Sequence, residues 1–106
     1  MAIVAQSSDV FRGNYETVAA SQSAQALGAT GAAGDFLLGL LVVPATTAPG
    51  AVTITDGSLS AVTVFAGGTL AAVTPFFVPI NANSTSGAWK VTTGSNVSVF
   101  ATGIFT

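Results

Sequence analysis

The sequence predicts an all-β fold: a single-domain β-sandwich, jelly-roll-like, of about eight short antiparallel strands. Three observations predict it. Apolar and polar residues alternate over short runs, as in Val52-Thr-Ile-Thr55 and Val97-Ser-Val99, which is the period of a half-buried strand. Glycine and proline turn signals separate these runs at intervals of about 8–15 residues, the spacing of short-stranded sandwiches. The chain has 106 residues, enough for one domain and one core.

Residues 1–14 show no sustained period and end on the turn signal Gly13-Asn14. They are expected to form an N-terminal arm or a loosely paired strand, held by a partner if ordered. The sandwich domain is then 15–106. Residues 15–27 are rich in Ala and Gln, which favour helix, yet they carry no strongly apolar strip at helical spacing. Two short strands with a bend near Ala20–Ser21 fit better. Gly28 to Gly34 is a glycine-rich loop. It lacks the Gly-Lys-Ser/Thr ending of a P-loop, and its glycine spacing misses the dinucleotide fingerprint, so it is expected to be a turn between strands.

Phe36 to Val43 is apolar without alternation, so both faces of that strand must be covered. It is either central in the sandwich or covered on its outer face by another subunit. Pro44 ends it, and residues 45–50 are a loop. Residues 51–55 and 61–65 alternate on either side of Asp56-Gly57 and predict a β-hairpin. Residues 75–80, Pro-Phe-Phe-Val-Pro-Ile, read as a strand bracketed by prolines, which belong at edges, starts or bulges. Residues 81–87 are a polar loop. Residues 88–92 and 96–102 form a final pair of strands around Thr93-Gly-Ser95, with Trp89 and Val91 on one face of the first.

Only 6% of the residues are charged, against about 25% in ordinary soluble domains. The two cations are Arg12 and Lys90; the anions are Asp9, Glu16, Asp35 and Asp56. A free monomer normally uses charge to resist association. The surface here must be Ser, Thr, Asn, Gln, Ala and Gly, or be covered by neighbouring subunits. Two scattered cations argue against nucleic-acid binding, which needs several on one face. The longest apolar run is far below the roughly 20 residues of a membrane-spanning helix, and the N-terminus lacks the features of a signal peptide. No membrane partner is expected.

Histidine and cysteine are both absent, which removes the usual triads, thiol nucleophiles and thiolate metal sites. No catalytic residues, cofactor or metal are expected. Each acid has a structural explanation: Asp56 sits in a hairpin turn, Asp35 at a strand start, Asp9 and Glu16 near the arm. Calcium binding by Asp35 and Asp56 lacks the spaced ligands of a dedicated loop. Trp89 and Tyr15 have the chemistry to stack on sugars, but a lone Trp on an alternating strand is more often core. The sequons at Asn83 and Asn96 carry little weight without a secretory signal.

Glu16-Thr-Val-Ala-Ala-Ser-Gln22, Leu27 to Leu37, Pro49 to Gly57, Ser86 to Gly94 and Val97 to Gly103 together resemble small virion proteins of tailed bacteriophages. The resemblance spans about residues 15–106 and rests on turn and strand motifs. It is to capsid decoration (cement) proteins, β-sandwich or jelly-roll subunits that sit on the outer surface of the assembled shell as dimers or trimers. It implies two partners, the major capsid protein and further copies of this chain. The alternative is a head-fibre, spike or tail-tip module that binds a host-surface glycan or receptor. The candidate protein-contact residues are Phe36 and Leu38, Phe76 and Phe77, and Ile104 and Phe105. They stand for three candidate contact segments, 36–43, 75–79 and 103–106; the other reading of all three is intradomain core.

Overall fold

The computed structural model describes residues 13–45, 48–69 and 73–106. Among them are eight strands: β1 (Asn14–Val18), β2 (Gln25–Ala26), β3 (Phe36–Pro44), β4 (Val52–Asp56), β5 (Val62–Phe65), β6 (Phe76–Asn83), β7 (Trp89–Thr93) and β8 (Val97–Ile104). They form two four-stranded sheets in the orders β1-β8-β3-β6 and β2-β7-β4-β5. Every pairing is antiparallel. First strand pairs with last, second with seventh, third with sixth, fourth with fifth. The chain is thus one long hairpin, folded at the β4–β5 turn and rolled so that β3–β8 and β4–β7 complete the two sheets. That is the jelly roll, a double-sheet Greek-key sandwich.

The core follows from strand alternation. Val18, Leu37, Leu40, Val42, Val99 and Ala101 point inward from the first sheet, and Leu27, Val52, Ile54, Trp89 and Val91 from the second. Trp89 is buried and donates its indole N–H to the Asp35 carbonyl at 3.1 Å, so it belongs to the core and offers no face to a sugar. The bend expected near Ala20–Ser21 is present, with Ser21 at a φ of 61°. The Gly28–Gly34 segment is a connection between β2 and β3, its three glycines all at positive φ.

Three details differ from the sequence expectations. Asn14 is the first residue of β1 rather than the last of an arm: its side-chain amide and carbonyl clamp the Phe105 carbonyl and N–H, both at 2.9 Å. Residues 1–12 of the expected arm lie outside the described residues. β6 continues through Asn83, because Ala82 and Asn83 still pair with Leu37 and Phe36, which shortens the polar loop expected at 81–87. The last two strands do not pair with each other. β7 pairs with β2 and β4, and β8 with β1 and β3, so the short connection after Thr93 crosses from one sheet to the other.

β3 is an inner strand, between β8 and β6, as the first of its two sequence readings has it. Its lack of visible alternation has a local cause. The register shifts between Leu37 and Gly39 on both sides: against β8 Leu38 is an extra, bulged residue, and against β6 the extra residue lies on β6, between Pro79 and Ala82. Leu37 points inward before the bulge, and Leu40 and Val42 point inward after it. The inserted residue reverses the parity, so the buried and outward sets overlap in sequence.

Candidate functional site

The outer face of the first sheet is the distinctive surface of the molecule. β1 pairs Thr17 with Phe100, β3 pairs Leu41 with Phe100, and β6 pairs Phe77 with Leu41. Directly opposed residues share a face, so Thr17, Phe100, Leu41 and Phe77 form one row across all four strands. Tyr15, one step diagonal, stacks on Phe100 with ring centroids 4.7 Å apart and planes 13° apart. Tyr15 is 65% exposed. A groove of about 400 Å³ borders the row, lined in part by Thr17, Leu41, Val43, Ser98 and Phe100.

Gly39 shapes this face. A methyl group there would collide with the Phe77 ring and lie 2.7 Å from the Val78 carbonyl oxygen. Only glycine lets the Phe77 ring approach β3 this closely, and even so Phe77 stays 49% exposed.

The structure divides the six candidate contact residues. Leu38, Phe77 and Ile104 are about half exposed. Phe36 pairs with Ile104 and lies on the same outer face, half-buried. Phe76 and Phe105 are corrections. Phe76 pairs with the inward-facing Val42, packs against the core, and meets Phe65 of the second sheet at 5.3 Å between centroids. Phe105 is 6% exposed, held inside by the Asn14 clamp. The sequence reading missed Phe100; Leu41 and Val43 lie within the candidate segment 36–43 without being among its named residues. Phe100 was legible as the polar-phase residue of the alternating run 97–101, where an aromatic stands in place of the usual serine or threonine.

None of the charged residues among those described lies on this face. Glu16 sits at the rim, accepting from Gln25 Nε2 at 2.7 Å and from the Gly28 N–H at 2.9 Å. Asp35 is buried and accepts from the Ala32 N–H and from the Thr106 N–H and hydroxyl. Asp56 accepts from the Thr85 N–H and hydroxyl and the Ser86 N–H. Lys90 pairs with Thr55 in the second sheet. The two carboxylates weighed as calcium ligands are therefore each occupied by N–H and O–H donors that tie loops together. No group of three or more metal-ligating side chains occurs among the described residues. The outer face of the second sheet is of opposite character, with Thr63, Thr53 and Thr92 aligned in one cross-strand row.

Fold and surface together define a class: an eight-stranded jelly roll with one uncharged aromatic sheet face and one hydroxyl-rich face. No family model, curated protein or solved structure matches the chain.

Proposed function

We propose that this protein is a non-enzymatic structural subunit of a bacteriophage virion, a capsid decoration or cement protein on the outer surface of the shell. The observation that carries the reading is the uncharged aromatic outer face of the first sheet. Contiguous apolar surface of this kind marks interaction sites, and this chain has little charge elsewhere with which to recognise anything. The jelly roll adds weight by analogy, since viral capsid and lectin domains use it. A cement protein acts by mass action: binding the assembled shell and not its free subunits, it shifts the assembly equilibrium toward the shell. That task needs contact area and no reactive groups.

The test is to mix the full chain with shells assembled from the major capsid protein of its own particle. It should co-sediment with them and raise their melting temperature. Shells that neither bind it nor gain stability would refute the reading.

One observation favours a second reading, a fibre, spike or tail-tip module that binds a host-surface glycan. The exposed Tyr15 ring stacked on Phe100 is a flat aromatic platform of the kind sugars pack on. In that case Tyr15→Ala abolishes cell or glycan binding while shell stability is unchanged.

A further inference from the structure

We propose that the free edge of β5 is a docking site for residues 1–12 of the same chain, which return along it and add a further, antiparallel strand to the second sheet. The inference goes beyond the reading above. It concerns the second sheet and stands whether or not the outer face of the first sheet binds a shell.

The two seams of the sandwich differ. Where β1 meets β2 the seam is tied: the Gln25 amide donates to the Glu16 carboxylate and the Thr17 carbonyl, and the Gly28 N–H donates to Glu16. Where β5 meets β6, no pairing or hydrogen bond joins the two strands among the described residues. The Phe65 and Phe76 rings meet at one end, their centroids 5.3 Å apart. Beyond them the seam is open. Val62 pairs with the buried Ile54 and so faces inward with it, yet it is 58% exposed. Across the seam, Val78, Ile80 and Ala82 of β6 face inward and are only half-buried. Apolar surface of this kind marks a contact site.

The edge of β5 is also the least protected. Free edges are blunted by proline, charge or brevity. β6 carries Pro79, β1 carries Glu16 and β2 has only two residues. β5 and its flanks, Ala61-Val-Thr-Val-Phe-Ala66, hold neither proline nor charge. Only the extra residue Val64 interrupts that edge.

Reach, length and direction select the occupant. Asn14, Gly103, Leu37 and Ala82 lie in one row across the first sheet, so the chain before Asn14 departs from the end at which β6 finishes. β5 starts at that same end. Asp56 of β4 pairs with Trp89, whose indole reaches Asp35 beside β3, and β5 runs away from there, from Val62 opposite Ile54 to Phe65 opposite Val52. From Asn14 to a position outside β5 is four strand spacings and one sheet separation, roughly 22 Å. Twelve extended residues span about 40 Å, so about seven make the crossing. That leaves Ala2-Ile-Val-Ala5, four uncharged residues, to pair with the four of β5. The polar run Gln6-Ser-Ser-Asp9 falls in the crossing. A segment that ends at Asn14 after following this edge runs antiparallel to β5, like every other pair in the fold. Ile3 and Val4 face opposite ways, so one of them covers Val62.

Hydrogen–deuterium exchange of the full chain, read by mass spectrometry, tests this. In the wild type the amides of residues 2–5, and the outward-pointing amides of 62–65, should exchange at least about 100-fold more slowly than in an unstructured peptide. The double variant Ile3→Asp, Val4→Asp should remove the protection of both sets, while β7 and β8 keep theirs and so report an intact fold. Ser8→Asp, in the crossing, should change neither. Residues 2–5 that exchange at the unstructured rate in the wild type overturn the proposal, as does protection of 62–65 that is the same in the double variant. Protection that appears only at concentrations where the chain self-associates also overturns it, because the added strand then comes from a second copy.

Discussion

Asp56 ties the β4–β5 turn to the segment after β6, accepting hydrogen bonds from donors about 30 positions away along the chain. The Ser86 N–H contributes most to holding its carboxyl below the ordinary value of 3.8. Desolvation opposes it, and the Thr85 hydroxyl and the Thr85 and Gly87 N–H groups reinforce it. A carboxylate with a depressed folded-state pKa stabilises fully above its unfolded pKa, and that contribution is lost as pH falls through the folded value. Thermal melts should therefore show the wild type losing stability as pH drops below 3.8. Asp56→Asn should be less stable at neutral pH and lose less over the acid range. Identical acid profiles for the two proteins would contradict this role. Asp35 works from inside, joining the strand start of β3 to Thr106 and seating Trp89 through its carbonyl. Asp35→Ala leaves several donors without an acceptor and should cost about 3 kcal/mol in urea unfolding. Their local settings, a hairpin turn and a strand start, were readable from neighbouring glycines. Their partners were not, because Thr106 lies 71 residues from Asp35 and no local pattern encodes such a pairing.

At the scale of elements, β3 shows how one inserted residue decides what a strand presents. The bulge at Leu38 keeps Leu37, Leu40 and Val42 in the core while turning Leu41 and Val43 outward beside Phe77 and Phe100. Gly39, next to the bulge, lets the edge strand β6 lay Phe77 over it. Gly39→Ala would push the ring and the Val78 carbonyl away, and overpacking of this kind costs about 2 kcal/mol. Chemical denaturation should show that loss, and near-ultraviolet circular dichroism a change in aromatic environment. Unchanged stability would mean that β6 shifts freely and the face is not a fixed surface. The β4–β5 hairpin was legible because its alternation is strict and its turn chemistry local. The β7–β8 relation was not. Two alternating strands with a short glycine-containing connection look the same whether they pair or cross between sheets, and only the long-range pairings of β7 with β4 and β8 with β3 distinguish the cases. Phe76 and Phe77 show the same limit. Adjacent residues in a strand face opposite ways, so nominating both as surface required one to be buried.

For the whole molecule, the jelly roll separates two surfaces of opposite chemistry, aromatic on the first sheet and threonine-rich on the second. The all-β class, the strand number and the shortage of charge were readable from composition and turn spacing. The convergence of Tyr15, Leu41, Phe77 and Phe100 was not, since it needs four strands from across the chain to meet in one register. An interaction driven by such a face has a defined salt response. Shell binding should change by less than about threefold between low and high ionic strength, because screening acts on charges the face lacks. A steep loss with salt would place recognition on Glu16, Lys90 or the other charged residues instead. The most direct measurement is the copy number of this chain in purified particles, by quantitative mass spectrometry against the major capsid protein. A cement subunit is predicted at a stoichiometry comparable to that of the capsid protein. A few copies per particle, or none, would contradict the account.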